Sequence, residues 1–214
     1  MRAIGEIVRN ATAFKFRSDQ SMMDERDIIA AVSRLFALLK AREIDYVLVG
    51  GIALLQYVEG RNTEDIDLII AASALQHLPE IVVEERNDDF ARGKLGALRI
   101  DFLLTRNRLF DLVRRRYATT QQFVEQAVPC ATVEGLLLLK LYALPSLYRQ
   151  GDFTRVNLYE GDIAALMQSY QPEMQPLLDE LGRHLSAPDV QEVRSIVAEI
   201  QGRIERFKRS SGVG

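Results

Sequence analysis

The sequence has few of the residues that build disulfides and soft-metal sites. Cys130 is its single cysteine, and His77 and His184 are its only histidines. One thiol excludes an intramolecular disulfide and a cysteine-rich zinc site, and two imidazoles argue against a histidine-based metal centre. A metal bound by this chain would therefore have oxygen ligands, which favours Mg²⁺ or Mn²⁺.

Long apolar runs and a surplus of positive charge are also missing. No run of about 18 apolar residues occurs, and the N-terminus lacks the apolar core of a signal peptide, so we expect a cytoplasmic protein without a membrane span. The 214 residues include 27 Lys and Arg against 30 Asp and Glu. Because this balance gives no global basic field, a nucleotide or RNA would need a local binding patch.

Apolar residues, which make up 48% of the chain, follow two patterns. Short strand patterns alternate with short helical ones in the first half, and the second half is helical. This order predicts an α/β (α+β) fold, with a small mixed sheet flanked by helices and a helical C-terminal domain. The predicted parts are an N-terminal segment (1–20), a core (21–117) and a mostly helical domain (118–214).

Two aspartates, one residue apart, open a predicted strand over residues 65–71. Strand side chains alternate between faces, so Asp65 and Asp67 point the same way. Two carboxylates on one face repel each other unless a positive charge lies near them, and a divalent metal ion suits them well. The pair therefore predicts a metal site, the alternative being a helix-cap and a turn aspartate without a metal.

A glycine pair follows the preceding strand. Gly50 and Gly51 come after the apolar residues 46–49 and before a helical pattern over residues 52–58. Backbone N–H groups at the start of a helix bind phosphate well. A phosphate-binding turn beside a metal-binding carboxylate pair indicates phosphoryl or nucleotidyl transfer.

Asp101 is the candidate for a third carboxylate. It lies within the apolar run LRIDFLL, where a carboxylate is costly unless it meets a metal or a partner. The alternation of a hairpin over residues 90–95 and 98–104 places Arg99, Asp101 and Leu103 on one face. A two-metal transfer site uses three carboxylates, the third holding the metal that activates the attacking hydroxyl. The alternative is a salt-bridged aspartate without a metal.

Together these residues resemble the nucleotidyltransferase superfamily that includes DNA polymerase beta. Its pattern of apolar-Gly-Gly/Ser, Asp-apolar-Asp and a later strand Asp corresponds to residues 49–51, residues 65–67 and Asp101. The resemblance implies a nucleotidyltransferase sheet. It also implies that the three carboxylates bind Mg²⁺ or Mn²⁺ and that the glycine amides contact the β- and γ-phosphates.

A finer match is to a branch with GG-x-A and R-x-[ST]-x-D-[IL]-D. The chain reads GGIA over residues 50–53 and RNTEDID over residues 61–67, which is similar to the AbiEii-type nucleotidyltransferases, the toxins of type IV toxin–antitoxin systems. This implies nucleotide contacts from Arg61 and Thr63. The alternatives are that Arg61 only neutralises the carboxylates and that Thr63 is a turn residue.

Residues further along the chain extend the resemblance to about residue 166. That branch carries a helical Lys and a later Asp, matched here by Lys140 and Asp162, with Arg149 between them. The resemblance implies that Lys140 contacts the triphosphate, that Asp162 orients Lys140 or acts near the nucleophile, and that Arg149 binds nucleotide. Without it, a snorkelling lysine at a helix end is an equal alternative. An unusual insert over residues 145–161 has no assigned role.

The reaction implied is metal-dependent transfer of NMP from an NTP, such as ATP, to an acceptor hydroxyl on a tRNA end, a protein or a small molecule. A toxin would also have an antitoxin partner. Aminoglycoside nucleotidyltransferases share the GR-x-T element of residues 60–63, but their Arg-x-His before the carboxylates is missing, which ranks them lower. A non-catalytic NTP-binding regulator on the same fold is the third alternative.

Overall fold

The computed structural model describes residues 25–58, 65–123 and 126–210. Contacts between residues divide the chain into two compact units, which meet in sequence at Thr132 and Val133. Strands are confined to the first unit among the described residues, and the second unit is helical there. None of the helices in these ranges is long and apolar enough to cross a membrane.

The described part of the first unit consists of a sheet and short helices. Its α-helices are α1 (Glu25–Ala41), α2 (Gly50–Leu54) and α3 (Arg108–Arg116), with a 3₁₀ helix over Ala72–His77. Its strands are β1 (Tyr46–Val49), β2 (Ile66–Ile70), β3 (Val82–Arg86), β4 (Phe90–Leu95), β5 (Leu98–Leu104), β6 (Ala118–Phe123) and β7 (Gln126–Ala131).

The strands form one mixed sheet in the order β3-β4-β5-β2-β1-β7-β6. Strand β2 lies antiparallel to β1 and parallel to β5, so two strands that are distant in the chain become neighbours. Strand β7 pairs with β1, which places β6 and β7 in the first unit although the predicted core stopped at residue 117. The predicted mixed sheet, flanked by helices and followed by a helical part, is confirmed.

The β4–β5 hairpin has the predicted bounds, and its turn sets the register. Gly96 adopts a φ of 62°, a left-handed conformation that glycine enters without a Cβ penalty. Along β5, Leu98, Ile100, Phe102 and Leu104 are buried and Arg99 is exposed. The alternation predicted for this strand is therefore confirmed, with Asp101 on the face opposite the buried residues.

Helix α2 is shorter than predicted and ends at Leu54 rather than at Val58. The following residues tighten into i→i+3 hydrogen bonds, in which Gln56 N donates to Ala53 O and Tyr57 N donates to Leu54 O. The Tyr57 hydroxyl then donates to the carbonyl of Ala131 at 2.9 Å, which ties this turn to the end of β7.

The second unit consists of α4 (Val133–Gln150), α5 (Phe153–Tyr170), α6 (Met174–Leu181) and α7 (Ala187–Ser210) over its described residues. The insert over residues 145–161 comprises the last residues of α4, the corner at residues 151–152 and the first half of α5. Gly151 turns the chain with a φ of 67°, and the Asp152 side chain caps α5 by accepting from Arg155 N.

Cys130, on β7, is fully buried beside Leu48 of β1. Burial raises the pKa of its thiol to about 12. Because the pKa is higher in the folded state, the neutral thiol makes its full contribution to stability at pH values below the pKa of the unfolded thiol. That contribution is lost as the pH rises from about 9 towards 12.

We therefore expect the native thiol to react with Ellman's reagent at pH 8 at least about 100 times more slowly than the urea-unfolded thiol. The same reaction at pH 10 should still be slow as long as the fold persists, which circular dichroism reports. Equal rates for native and unfolded protein would contradict the burial of this side chain.

Candidate functional site

Two of the three predicted carboxylates lie side by side in the sheet. Asp67 of β2 is directly opposite Asp101 of β5 in the parallel register, and neighbouring strands lie about 4.8 Å apart. Asp65 precedes β2 by one residue and shares the face of Asp67. The crossover from β2 to β5 thus brings together carboxylates that are more than thirty residues apart in the sequence.

Gly50 packs directly against the Asp67 carboxylate. Its φ is 64°, and a Cβ built on it would lie only 1.9 Å from Asp67 Oδ2. Strand pairing causes this approach, because Val49, the residue before it, is opposite Asp67 across β1 and β2. Glycine is therefore required here both for its backbone conformation and for its missing side chain.

Arg92 is a site residue that the sequence analysis missed. It lies on β4 opposite Asp101, where its Nε donates to Oδ1 at 2.7 Å and its Nη2 donates to Oδ2 at 3.2 Å. Its Nη1 lies 3.8 Å from Glu85 Oε2. The pKa of Arg92 is raised above its usual value, mainly by Asp101 and further by Glu85 and Asp65.

Asp101 neighbours Asp67 and is salt-bridged to Arg92, which agrees with the alternative of a salt-bridged aspartate, and a metal contact of Asp101 stays a prediction. No three His, Cys, Asp or Glu side chains of the described residues are gathered into one metal-binding group. The donors nonetheless suit a hard cation, because they are carboxylate oxygens on one sheet face beside a glycine backbone. Binding of Mg²⁺ or Mn²⁺ by Asp65, Asp67 and Asp101 stays a prediction, and Arg92 engages Asp101.

Arg61 and Thr63 lie outside the described residues, so their nucleotide contacts stay predictions. The amides of Gly50 and Gly51 begin α2, which has only five residues. Phosphate binding at this turn is also still a prediction.

Lys140 and Asp162 form a buried ion pair between α4 and α5. Lys140 Nζ donates to Asp162 Oδ2 at 2.7 Å, and the two side chains are 6% and 9% exposed. The ammonium also lies 4.4 Å from the ring centroid of Tyr159, in cation–π geometry. Such burial argues against a snorkelling lysine and agrees with an aspartate that orients Lys140.

Arg149 is engaged by α7. Its Nη1 lies 2.5 Å from Asp189 Oδ1, although its side chain is 61% exposed. Hydrogen bonds from Ser186 and then Arg149 lower the pKa of Asp189. This ion pair joins the end of α4 to the start of α7, and a nucleotide contact of Arg149 stays a prediction.

Solved structures share this architecture. The antibiotic-resistance factor ANT(2'')-Ia has a TM-score of 0.50 at 14% identity, over 88% of this chain and 100% of that one. An antigenic nucleotidyltransferase-like protein from Paracoccidioides brasiliensis has a TM-score of 0.49 at 19% identity, over 81% of this chain and 94% of that one. No protein-family model and no curated protein sequence matches the chain. At such identities the likeness shows the fold alone, a mixed sheet with flanking and C-terminal helices that is consistent with the nucleotidyltransferase fold.

The contact between Gly50 and Asp67 leads to a matched pair of substitutions. Gly50→Ala and Gly96→Ala both place a Cβ at positive φ, but nothing lies within 4 Å of the Cβ at Gly96. We expect Gly96→Ala to cost about 1 kcal/mol of unfolding free energy and Gly50→Ala at least about 2 kcal/mol. Urea unfolding measures both, and equal losses would contradict the close approach.

The buried ion pair predicts that replacing one partner lowers stability more than replacing both. Lys140→Met leaves Asp162 charged and buried without its partner, so we expect a loss of about 3 kcal/mol or more. Combining Lys140→Met with Asp162→Leu removes both charges and should recover most of that loss. Thermal unfolding measures the stability of both variants. A Lys140→Met variant as stable as the wild type would contradict the buried ion pair.

Proposed function

We propose that the protein is a metal-dependent nucleotidyltransferase that moves NMP from an NTP to an acceptor hydroxyl. One observation carries the proposal: Asp67 and Asp101 are register neighbours, and the Gly50 backbone lies against the Asp67 carboxylate. This combination places carboxylate oxygens beside the backbone turn that would approach a phosphate. The nucleotidyltransferase fold supports the proposal.

In this proposal Asp65 and Asp67 would both be ligands of the Mg²⁺ or Mn²⁺ ions, and Asp101 would be a ligand of the ion that activates the acceptor hydroxyl. When bound, the metal neutralises phosphate charge and lowers the pKa of the acceptor hydroxyl. Gly50 and Gly51 direct backbone N–H groups at the β- and γ-phosphates. The acceptor oxygen bonds to the α-phosphorus, the bond from that phosphorus to the bridging oxygen breaks, and pyrophosphate leaves while the hydroxyl proton passes to solvent.

Residues beyond the three carboxylates and the glycine pair have supporting roles in the proposal. Lys140, oriented by Asp162, adds positive charge toward the triphosphate, and Arg61, Thr63 and Arg149 are further nucleotide ligands. The motif over residues 61–67 supports an AbiEii-type toxin that transfers NMP to an RNA end or a protein. Such a toxin would have an antitoxin partner.

A small-molecule acceptor is the second candidate. It is favoured by the fold likeness to ANT(2'')-Ia, an antibiotic-resistance factor, over 88% of this chain. The two candidates differ in where the nucleotide ends up, so they can be separated by the acceptor that becomes labelled.

The carboxylate pair provides the direct test. Asp65→Ala combined with Asp67→Ala should lower NTP turnover at least about 1,000-fold, because the metal ions lose their bridging ligands. Asp88→Asn is the matched control, since Asp88 pairs with Arg106 in an exposed ion pair and should leave turnover unchanged. Pyrophosphate release with each of the four NTPs and Mg²⁺ or Mn²⁺ measures turnover.

The same incubation, with α-³²P-labelled NTPs, identifies the acceptor from total tRNA, a protein extract and an aminoglycoside panel. Label on one RNA or protein band supports the toxin-like reaction, and label on an aminoglycoside supports the second candidate. Turnover that survives in the double variant would overturn the assignment of the carboxylates. NTP binding without pyrophosphate release by the wild type would favour the regulatory alternative.

A further inference from the structure

We propose that Arg92 is a positioning residue. It holds the Asp101 carboxylate when no divalent cation is bound there, and it competes with such a cation for that carboxylate. The inference rests on the proposed function, because it concerns the third carboxylate of the same site. It assigns a role to a residue of β4 that lies outside every motif of the sequence analysis.

The geometry of the contact is that of a fork. Two nitrogens of the guanidinium, Nε and Nη2, each meet a different oxygen of Asp101, at 2.7 and 3.2 Å. Arg92 and Asp101 are register partners across β4 and β5, so the backbone holds the two side chains together. A bidentate contact of this kind uses the oxygens that a metal ion would need.

Arg92 is also a cation within an acidic group of side chains. Besides Asp101 it lies near Glu85 of β3, and the negative charge of Asp65 acts on it. Asp67 and Asp101 repel each other across adjacent strands, and a positive charge beside one of them lowers that repulsion. A divalent ion at the same carboxylates would relieve the same repulsion, so the guanidinium and the ion are alternatives at Asp101.

Exposure makes the exchange feasible. The side chains of Arg92 and Asp101 are 44% and 27% exposed, so water competes for both partners and the pair is far weaker than a buried one. The arginine can therefore leave Asp101 by a side-chain rotation, without disturbing the sheet.

The test is a titration of Mn²⁺ alone into the metal-free protein, followed by the paramagnetic resonance signal of free Mn²⁺. Arg92→Gln should tighten Mn²⁺ binding roughly five- to tenfold, because it removes both the competing fork and one positive charge. Arg92→Lys, which keeps the charge and loses the fork, should give an intermediate gain. Arg106→Gln removes one charge from the exposed pair with Asp88 and should change nothing.

A double-variant cycle assigns the gain to Asp101. In an Asp101→Asn background the gain from Arg92→Gln should fall to about twofold or less, because only the charge effect is left. Thermal unfolding checks that each variant is folded.

An unchanged or weaker Mn²⁺ affinity in Arg92→Gln overturns the inference, and so does an equal gain with and without Asp101. If Mn²⁺ binding depends on Asp65 and Asp67 while Arg92 has no effect, this inference fails and the proposed function stands. If the wild type binds no Mn²⁺, or binds it equally well when both of those aspartates are replaced by alanine, the proposed metal site fails together with the inference.

Discussion

The repulsion between Asp67 and Asp101 is the interaction on which the arrangement of the site depends. Unit charges about 4.8 Å apart repel by roughly 1–3 kcal/mol between water and a protein surface. The register of β2 and β5 forces the two carboxylates together, and Arg92 on the next strand supplies the compensating charge. Arg92, Asp101 and Asp67 thus lie side by side across β4, β5 and β2, and along β5 the opposite face of the sheet is apolar.

The Asp67 carboxylate also limits which residue can occupy the backbone position beside it. Gly50 and Gly96 have nearly the same φ, 64° and 62°, yet only the Cβ of the first would meet another residue. Gly96 is a turn residue of an open hairpin, whereas Gly50 brings the main chain against Asp67. Two glycines with one backbone conformation therefore serve different purposes, and the difference comes from what packs beside them.

Ion pairs also connect the helices of the second unit, and one of them is buried. Lys140 and Asp162 are nearly excluded from water, and each is the ion-pair partner of the other. Arg149 and Asp189 form a similar contact at the surface, where water and salt weaken it. Breaking the buried pair is therefore expected to cost more than breaking the exposed pair, because it leaves one charge unpaired and out of water.

Much of the local structure follows from the sequence alone. The alternation in LRIDFLL determined which residues of β5 are buried, and the hairpin around Gly96 has the predicted bounds. That hairpin also places Arg92 opposite Asp101, because counting back from a two-residue turn sets the pairing. The ion pair at Asp101 was thus open to prediction, and the sequence analysis left it as an alternative without naming the arginine.

Other features depend on contacts that no local pattern encodes. Tyr57, which follows α2, bonds to Ala131, far away in the chain, and β7 pairs with β1 while β6 pairs with β7. The sequence by itself determined strands β1, β2, β4 and β5, the glycines that end β1 and turn the β4–β5 hairpin, and the shared face of Asp65 and Asp67, since these follow from local geometry. Only the tertiary structure decided that β2 lies beside β5, and with it the meeting of Asp67, Asp101 and Arg92, because strand order is set by packing between distant segments.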